Sequence, residues 1–159
     1  MKKPPPMPIT HATASHLPVL EAEARAATGL VVEHGAGLYS TPLLTRLGCR
    51  VRCIESHPGW SDWARWIYED RAEVVAAPDI ADAALVFIDG AAEERGPLLS
   101  ACITAGVPTI IAHDTGEKTR AYYGYEPYHF MVTRYEVTHP APRTTLWKLK
   151  PPIGVPFDV

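Results

Sequence analysis

The sequence predicts an α/β fold: a mainly parallel, seven-stranded sheet in a three-layer sandwich, ending in a C-terminal antiparallel hairpin. Three observations predict it. Short apolar runs alternate with helical stretches from residue 17 to about residue 113, the pattern of successive βα units. Acids stand at the ends of the first, second, fourth and fifth runs (Glu33, Glu55, Asp89 and Asp114), where the strands of an open parallel sheet present their ligand-binding ends. Beyond residue 128 two β-rich runs succeed each other with only a turn between them, a connection that antiparallel strands allow and parallel strands do not.

Taken in order, residues 1–16 are rich in Pro, Thr and His without periodicity, so a loose arm is expected, with His11 and His16 solvated. A domain over 17–150 and an extended Pro-rich tail over 151–159 complete the chain. Residues 17–28 place Leu17, Leu20, Ala24 and Ala27 at helical spacing before the stop signal Gly29. The first strand, from Leu30 to Glu33, runs into the turn Gly35-Ala36-Gly37 and a helix over 42–47 with Ser40 or Thr41 as its N-cap, closed by Gly48. Residues 50–55 alternate as a second strand. A tryptophan-rich helix spans 58–71, with Trp60, Trp63 and Ile67 on one face. A short strand over 73–77 leads to a turn at Asp79-Ile80-Ala81-Asp82. The near-continuous apolar run 84–88 reads as a central strand ending in Asp89-Gly90.

A helix over 93–105 stops at Gly106, and the buried strand 109–112 ends in His113-Asp114. Residues 116–128 carry four tyrosines and are too irregular for a helix; Tyr122, Tyr123, Tyr125 and Tyr128 with Lys118 and Arg120 read as a lid or as an edge packed on a partner. Two β-rich runs, 129–138 and 144–150, flank a turn at His139-Pro140-Ala141-Pro142.

Composition narrows the function. The 159 residues are 47% hydrophobic and 21% charged, with a net charge of −3, enough chain for one domain with its own core. That balance gives no pull toward nucleic acid or an anionic membrane. No run reaches the roughly 20 apolar residues of a membrane span. Cys49, Cys53 and Cys102 are an odd number, and Cys49 and Cys53 on one strand would lie about 13 Å apart, beyond disulfide reach. A reduced, cytoplasmic protein without a metal site is expected, with the tryptophans, where exposed, marking an oligomer face.

The chemistry gathers at the strand ends. A strand, a glycine turn and a helix start make a ligand cradle, because glycine lets backbone approach a bound molecule and the first helical N–H groups are free. Ser40 occupies the third glycine position of a dinucleotide fingerprint, so that fingerprint is not met. Glu55, ending the second strand, is placed to accept hydrogen bonds from ribose hydroxyls, with Ser56 beside it; Asp79 or Ile80 is placed to border an adenine ring. Each of these acids also fits a plain helix N-cap or a surface carboxylate.

The segment Glu33-His34-Gly35-Ala36-Gly37-Leu38-Tyr39-Ser40-Thr41, with Glu55, Asp89-Gly90 and His113-Asp114 coming after it in order, resembles the motifs of the class I, Rossmann-like S-adenosylmethionine (SAM) methyltransferases over roughly residues 17–150, at the level of short motifs. The resemblance implies a single-domain enzyme that methylates a small-molecule acceptor at O or N, with no nucleic-acid or membrane partner and a homo-oligomeric state. It implies SAM contacts from Glu33, Gly35, Ala36, Gly37, Ser40, Thr41, Glu55, Ser56, Asp79 and Asp89, and acceptor chemistry at Asp89, His113 and Asp114. Glu33 either fixes the glycine loop or meets the ligand's amino group.

Asp89 and Asp114 also match the places of Mg²⁺ ligands in metal-dependent catechol-type relatives. His113 and Ala91-Ala92 depart from that pattern, so Mg²⁺ is not favoured. The rival reading is a non-catalytic module that keeps the fold for binding or assembly.

Overall fold

The computed structural model describes residues 14–128 and 133–151. The expected arm over 1–13 with His11, the opening of the first late β-rich run at 129–132, and the expected tail from 152 to 159 lie outside these residues. Ser15 and His16 differ from the solvated arm expected of them: both are buried.

The elements are α1 (Leu17–Ala26), β1 (Leu30–His34), α2 (Ser40–Leu47), β2 (Val51–Ile54), α3 (Pro58–Tyr68), β3 (Ala72–Val75), β4 (Ala83–Ile88), α4 (Ala92–Ala105), β5 (Thr109–His113), α5 (Glu117–Arg120), β6 (Tyr135–Ala141) and β7 (Thr144–Leu149). They form a seven-stranded sheet in the order β3-β2-β1-β4-β5-β7-β6. The first five strands are parallel, and β7 runs antiparallel to both β5 and β6. The strand order reverses between β1 and β4, which makes their C-terminal ends the place where an open sheet leaves a crevice.

Strand alternation sorts the core into two layers. Val31, Val51, Cys53, Leu85 and Phe87 face α1, α2 and α3, meeting Leu20, Leu44 and Tyr68. Val32, Ile54, Val86, Ile88 and Ile110 face α4 and the hairpin, meeting Leu99, Cys102 and Trp147. The three cysteines are free. Among the described residues no helix is long and apolar enough to cross a membrane.

Three local expectations change. Ser40 and Thr41 do not cap α2: they lie inside its first turn, Tyr39 holds the cap position, and both hydroxyl residues are buried. The hairpin turn is Pro142-Arg143 rather than 139–142, because β6 continues to Ala141 across a register irregularity after Thr138. Pro140 is tolerated there because β6 is the outer strand and needs no donor on that side. Within the tyrosine-rich stretch, α5 adds a single turn, and Tyr125 is fully buried in the α4 layer. Tyr122 is exposed.

Two successive residues of β1 carry polar groups into opposite layers. Glu33, with no exposure, accepts from the Tyr68 hydroxyl at 2.6 Å and from Thr41 Oγ1 at 2.9 Å. Thr41 Oγ1 in turn accepts the Gly37 N–H at 3.0 Å. One carboxyl therefore ties β1 to α2, to α3 and, through Thr41, to the glycine turn. Burial pushes this carboxyl up to about 7, and hydrogen bonds from Tyr68, Ser40 and Thr41 oppose the shift. On the other face, His34 Nε2 lies 2.9 Å from Glu94 of α4, and His34 Nδ1 accepts the Gly90 N–H at 3.3 Å.

Gly35 comes next, with φ of 87°, and a side chain there would collide with the Gly90 backbone. The ends of β1 and β4 thus touch glycine to glycine, and only glycine satisfies both the left-handed backbone and the close approach.

Both features are open to measurement. Below 4.5 the Glu33 carboxyl is protonated folded and unfolded; between 4.5 and about 7 only the unfolded chain ionises. Its contribution therefore lowers stability as pH rises through that window and is constant above it, by about 3 kcal/mol in all. Denaturant unfolding of wild type and Glu33→Gln at pH 5 and pH 8 is expected to show a flatter profile in the variant; parallel profiles would refute the assignment. Gly35→Ala is expected to cost about 2–4 kcal/mol. Gly37→Ala, whose added methyl would meet only the Ser40 side chain closely, is expected to cost less in the same measurement.

Candidate functional site

At the C-terminal ends of β1, β4 and β5 the chain forms a cleft of about 230 Å³, lined by Gly35, Ala36, Gly37 and Ser40 on one side and by His16, Asp89, His113 and Asp114 on the other. Leu38, Tyr39 and Trp60 complete its wall. Trp60 packs edge-on against Trp63 with ring centroids 5.5 Å apart, while Trp66 points outward and is 53% exposed.

Glu55 stands just past β2 and faces the glycine turn. Its Oε2 accepts the Ala36 N–H at 3.0 Å, and its Oε1 accepts the His57 N–H at 2.7 Å. A partly exposed carboxylate thus sits beside the cradle, holding the backbone of both the first and the second loop.

At the far side, Asp89 and His113 meet directly: His113 Nδ1 lies 3.2 Å from Asp89 Oδ1. Arg95 of α4 reaches Asp89 Oδ1 at 3.0 Å and Asp114 Oδ2 at 3.5 Å, and donates to the carbonyl oxygens of Gly90 at 2.8 Å and Asp89 at 3.1 Å. Its guanidinium carbon lies 4.2 Å above the Tyr123 ring, a cation–π contact. Arg143, from the hairpin turn, pairs with Asp114. His16 comes in from the segment before α1. Its ring lies 4.8 Å from that of Phe87 and 4.6 Å, edge-on, from that of His113. Burial, then the neighbouring His113, pushes His16 down to about 4, so its imidazole is neutral at neutral pH.

The structure brings Gly35, Ala36, Gly37, Ser40, Asp89, His113 and Asp114 to one cleft and places Glu55 against its glycine loop. Glu33 and Thr41 are fully buried behind the loop and hydrogen-bonded to each other, so Glu33 takes the loop-fixing one of its two expected roles, while Thr41 lines no part of the cleft. Asp79 does not line the cleft either. Its carboxylate pairs with Arg52 at 3.0 Å and caps its own turn through the Ala81 N–H at 3.0 Å. Ser56 is exposed beside Glu55 and lines no part of the cleft.

Sequence reasoning missed His16, Arg95, Arg143 and Tyr68. Arg95 had a signal: it lies three, four and seven residues before Leu98, Leu99 and Cys102, all buried with it, which puts a cation on the inward stripe of α4. His16 had none.

The site does not fit an oxygen-rich Mg²⁺ centre. Asp114, the second carboxylate such a centre would need, is engaged by Arg95 and Arg143, and the remaining neighbours are imidazoles. The cradle does fit an adenosyl-type ligand: the glycine turn lines the cleft with backbone, and the Glu55 carboxylate stands beside it.

No family model matches the sequence, and none of the curated proteins does. Solved structures do. The chain superposes on the S-adenosylhomocysteine (SAH)-bound methyltransferase PaMTH1 of Podospora anserina with a TM-score of 0.62 at 13% identity, over 84% of this chain and 77% of that one. A methyltransferase-like protein from Silicibacter pomeroyi matches with a TM-score of 0.59 at 17% identity, over 94% of this chain and 92% of its own. An RNA methyltransferase from Salinibacter ruber, solved with SAH, gives a TM-score of 0.52 at 18% identity, over 89% and 95%. With the strand order, the C-terminal antiparallel pair and the switch between β1 and β4, these likenesses fix the fold: it is the Rossmann-like fold of the class I methyltransferases.

Proposed function

We propose that the protein is a SAM-dependent methyltransferase acting on a small-molecule acceptor. The observation that carries this reading is the cleft in which the Gly35–Gly37 turn, bordered by Glu55, faces Asp89, His113 and Asp114. In this reading Gly35, Ala36, Gly37 and Ser40 hold the cofactor against backbone, and Glu55 accepts hydrogen bonds from its hydroxyls. When bound, SAM supplies an electrophilic methyl group on a sulfonium. The chain's share is mostly positioning, with the Asp89, His113 and Asp114 groups orienting the acceptor and receiving its polar hydrogen. Glu33 acts through Thr41 and Tyr68, holding the turn in shape rather than touching ligand.

The net charge of −3 supports a small acceptor over a polyanion. The free cysteines support a reducing, cytoplasmic setting.

Calorimetry with SAM and SAH tests the reading. Wild type is expected to bind in the micromolar range. Glu55→Ala and Glu55→Gln are each expected to bind about ten- to a hundredfold more weakly, with unchanged far-UV circular dichroism. A well-folded wild type that binds neither ligand at millimolar concentration would overturn it and favour the non-catalytic module.

A further inference from the structure

We propose that His16, Asp89 and His113 form a binding site for a divalent transition-metal cation of the zinc class. One donor atom from each lies within 4.8 Å of the others, and the three arrive from separate elements: the segment before α1, the end of β4 and the last residue of β5. All border the same cleft.

The observation that points to a ligand is His16. It is only 2% exposed, and among the described residues neither ring nitrogen has a hydrogen-bond partner. A buried polar atom left without a partner costs about 1–3 kcal/mol, so such groups call for an explanation. The ring is held by packing on Phe87 and by its edge contact with His113. A cation shared with His113 and Asp89 would satisfy it.

The donor set selects the ion. Two imidazole nitrogens and one carboxylate oxygen, with a position left toward the cleft, match an open zinc-type site. Imidazole suits zinc, cobalt, nickel and iron, whereas Mg²⁺ and Ca²⁺ take oxygen ligands. His113 turns Nδ1 toward Asp89 and Nε2 toward Asp114 Oδ1, 3.9 Å away. Arg95 stays anchored on the carbonyl oxygens of Asp89 and Gly90 when the Asp89 carboxylate turns an oxygen to the ion. Arg95 and Arg143 together offset the charge of Asp89 and Asp114, so binding is carried by the imidazoles rather than by net negative charge. A water or acceptor hydroxyl in the open position would have its pKa lowered, its proton leaving to solvent.

The site does not depend on the methyl-transfer reading, and the experiment keeps the two apart. The full-length protein, stripped with chelator, is titrated with Co²⁺. Visible d–d bands are expected to grow to a stoichiometric end point, to be reversed by Zn²⁺ and to be unaffected by excess Mg²⁺. His16→Phe, which keeps the ring packing, and His113→Asn are each expected to weaken Co²⁺ at least about tenfold while far-UV circular dichroism is retained. Absence of the bands in folded wild type at millimolar Co²⁺, or bands of full strength in His16→Phe, would overturn the proposal. SAH binding is measured on the same samples. Cobalt lost with SAH retained sinks the metal site alone, and cobalt bound without SAH sinks the methyltransferase alone.

Discussion

A single buried carboxyl holds the functional end of this fold together. Among the described residues Glu33 closes no ion pair; it collects hydroxyl groups from Tyr68 and Thr41, and Thr41 passes the constraint to the Gly37 N–H. Three elements and the glycine turn therefore share one acceptor group. Burying a carboxyl is unfavourable unless it is hydrogen-bonded or neutral, and both remedies are present: several donors converge on it, and its affinity for a proton is raised. The cost falls where the geometry of the glycine turn is fixed from behind.

His34, the next residue, extends the same logic into the opposite layer. Alternation along β1 sends Glu33 toward α2 and α3 and His34 toward α4, so consecutive residues clamp the strand end from both faces. His34 reaches Glu94 and the Gly90 N–H, and Gly35 rests on Gly90. Burial lowers the affinity of the His34 ring for a proton, and Glu94 opposes that shift. The crevice at the strand-order switch is thus defined by contacts between β1 and β4 that leave no room for larger residues.

The far wall of the cleft is organised by charge. Arg95 and Arg143 bracket Asp89 and Asp114, and Arg95 is fixed by two backbone carbonyls and the Tyr123 face. With Asp114 held by both arginines and Asp89 by Arg95, the cleft sets two imidazoles, His113 and His16, beside these acids. This separates the site from one that would hold a hard cation with carboxylates, although Asp89 and Asp114 stand at corresponding strand ends.

The βα order, the parallel sheet with its terminal hairpin, the glycine turn and the polar strand ends at Glu55, Asp89, His113 and Asp114 are all legible in the bare chain. Their signals are local: periodicity, turn residues and the polar residue that ends each apolar run. Which polar residues face the cleft and which brace the fold was settled by packing. Glu33 and Thr41 share a motif with Gly35 and Gly37, yet strand alternation and the first turn of α2 carry them behind the loop. Asp79 is drawn to Arg52 by a contact across 27 residues of chain. His16 lies in a segment with no periodicity, and its place against Phe87 and His113 comes from burial that only the assembled sheet provides. Long-range pairing of this kind leaves no mark at any fixed spacing, and for that reason the cradle was legible in the sequence while the full set of groups facing it was not.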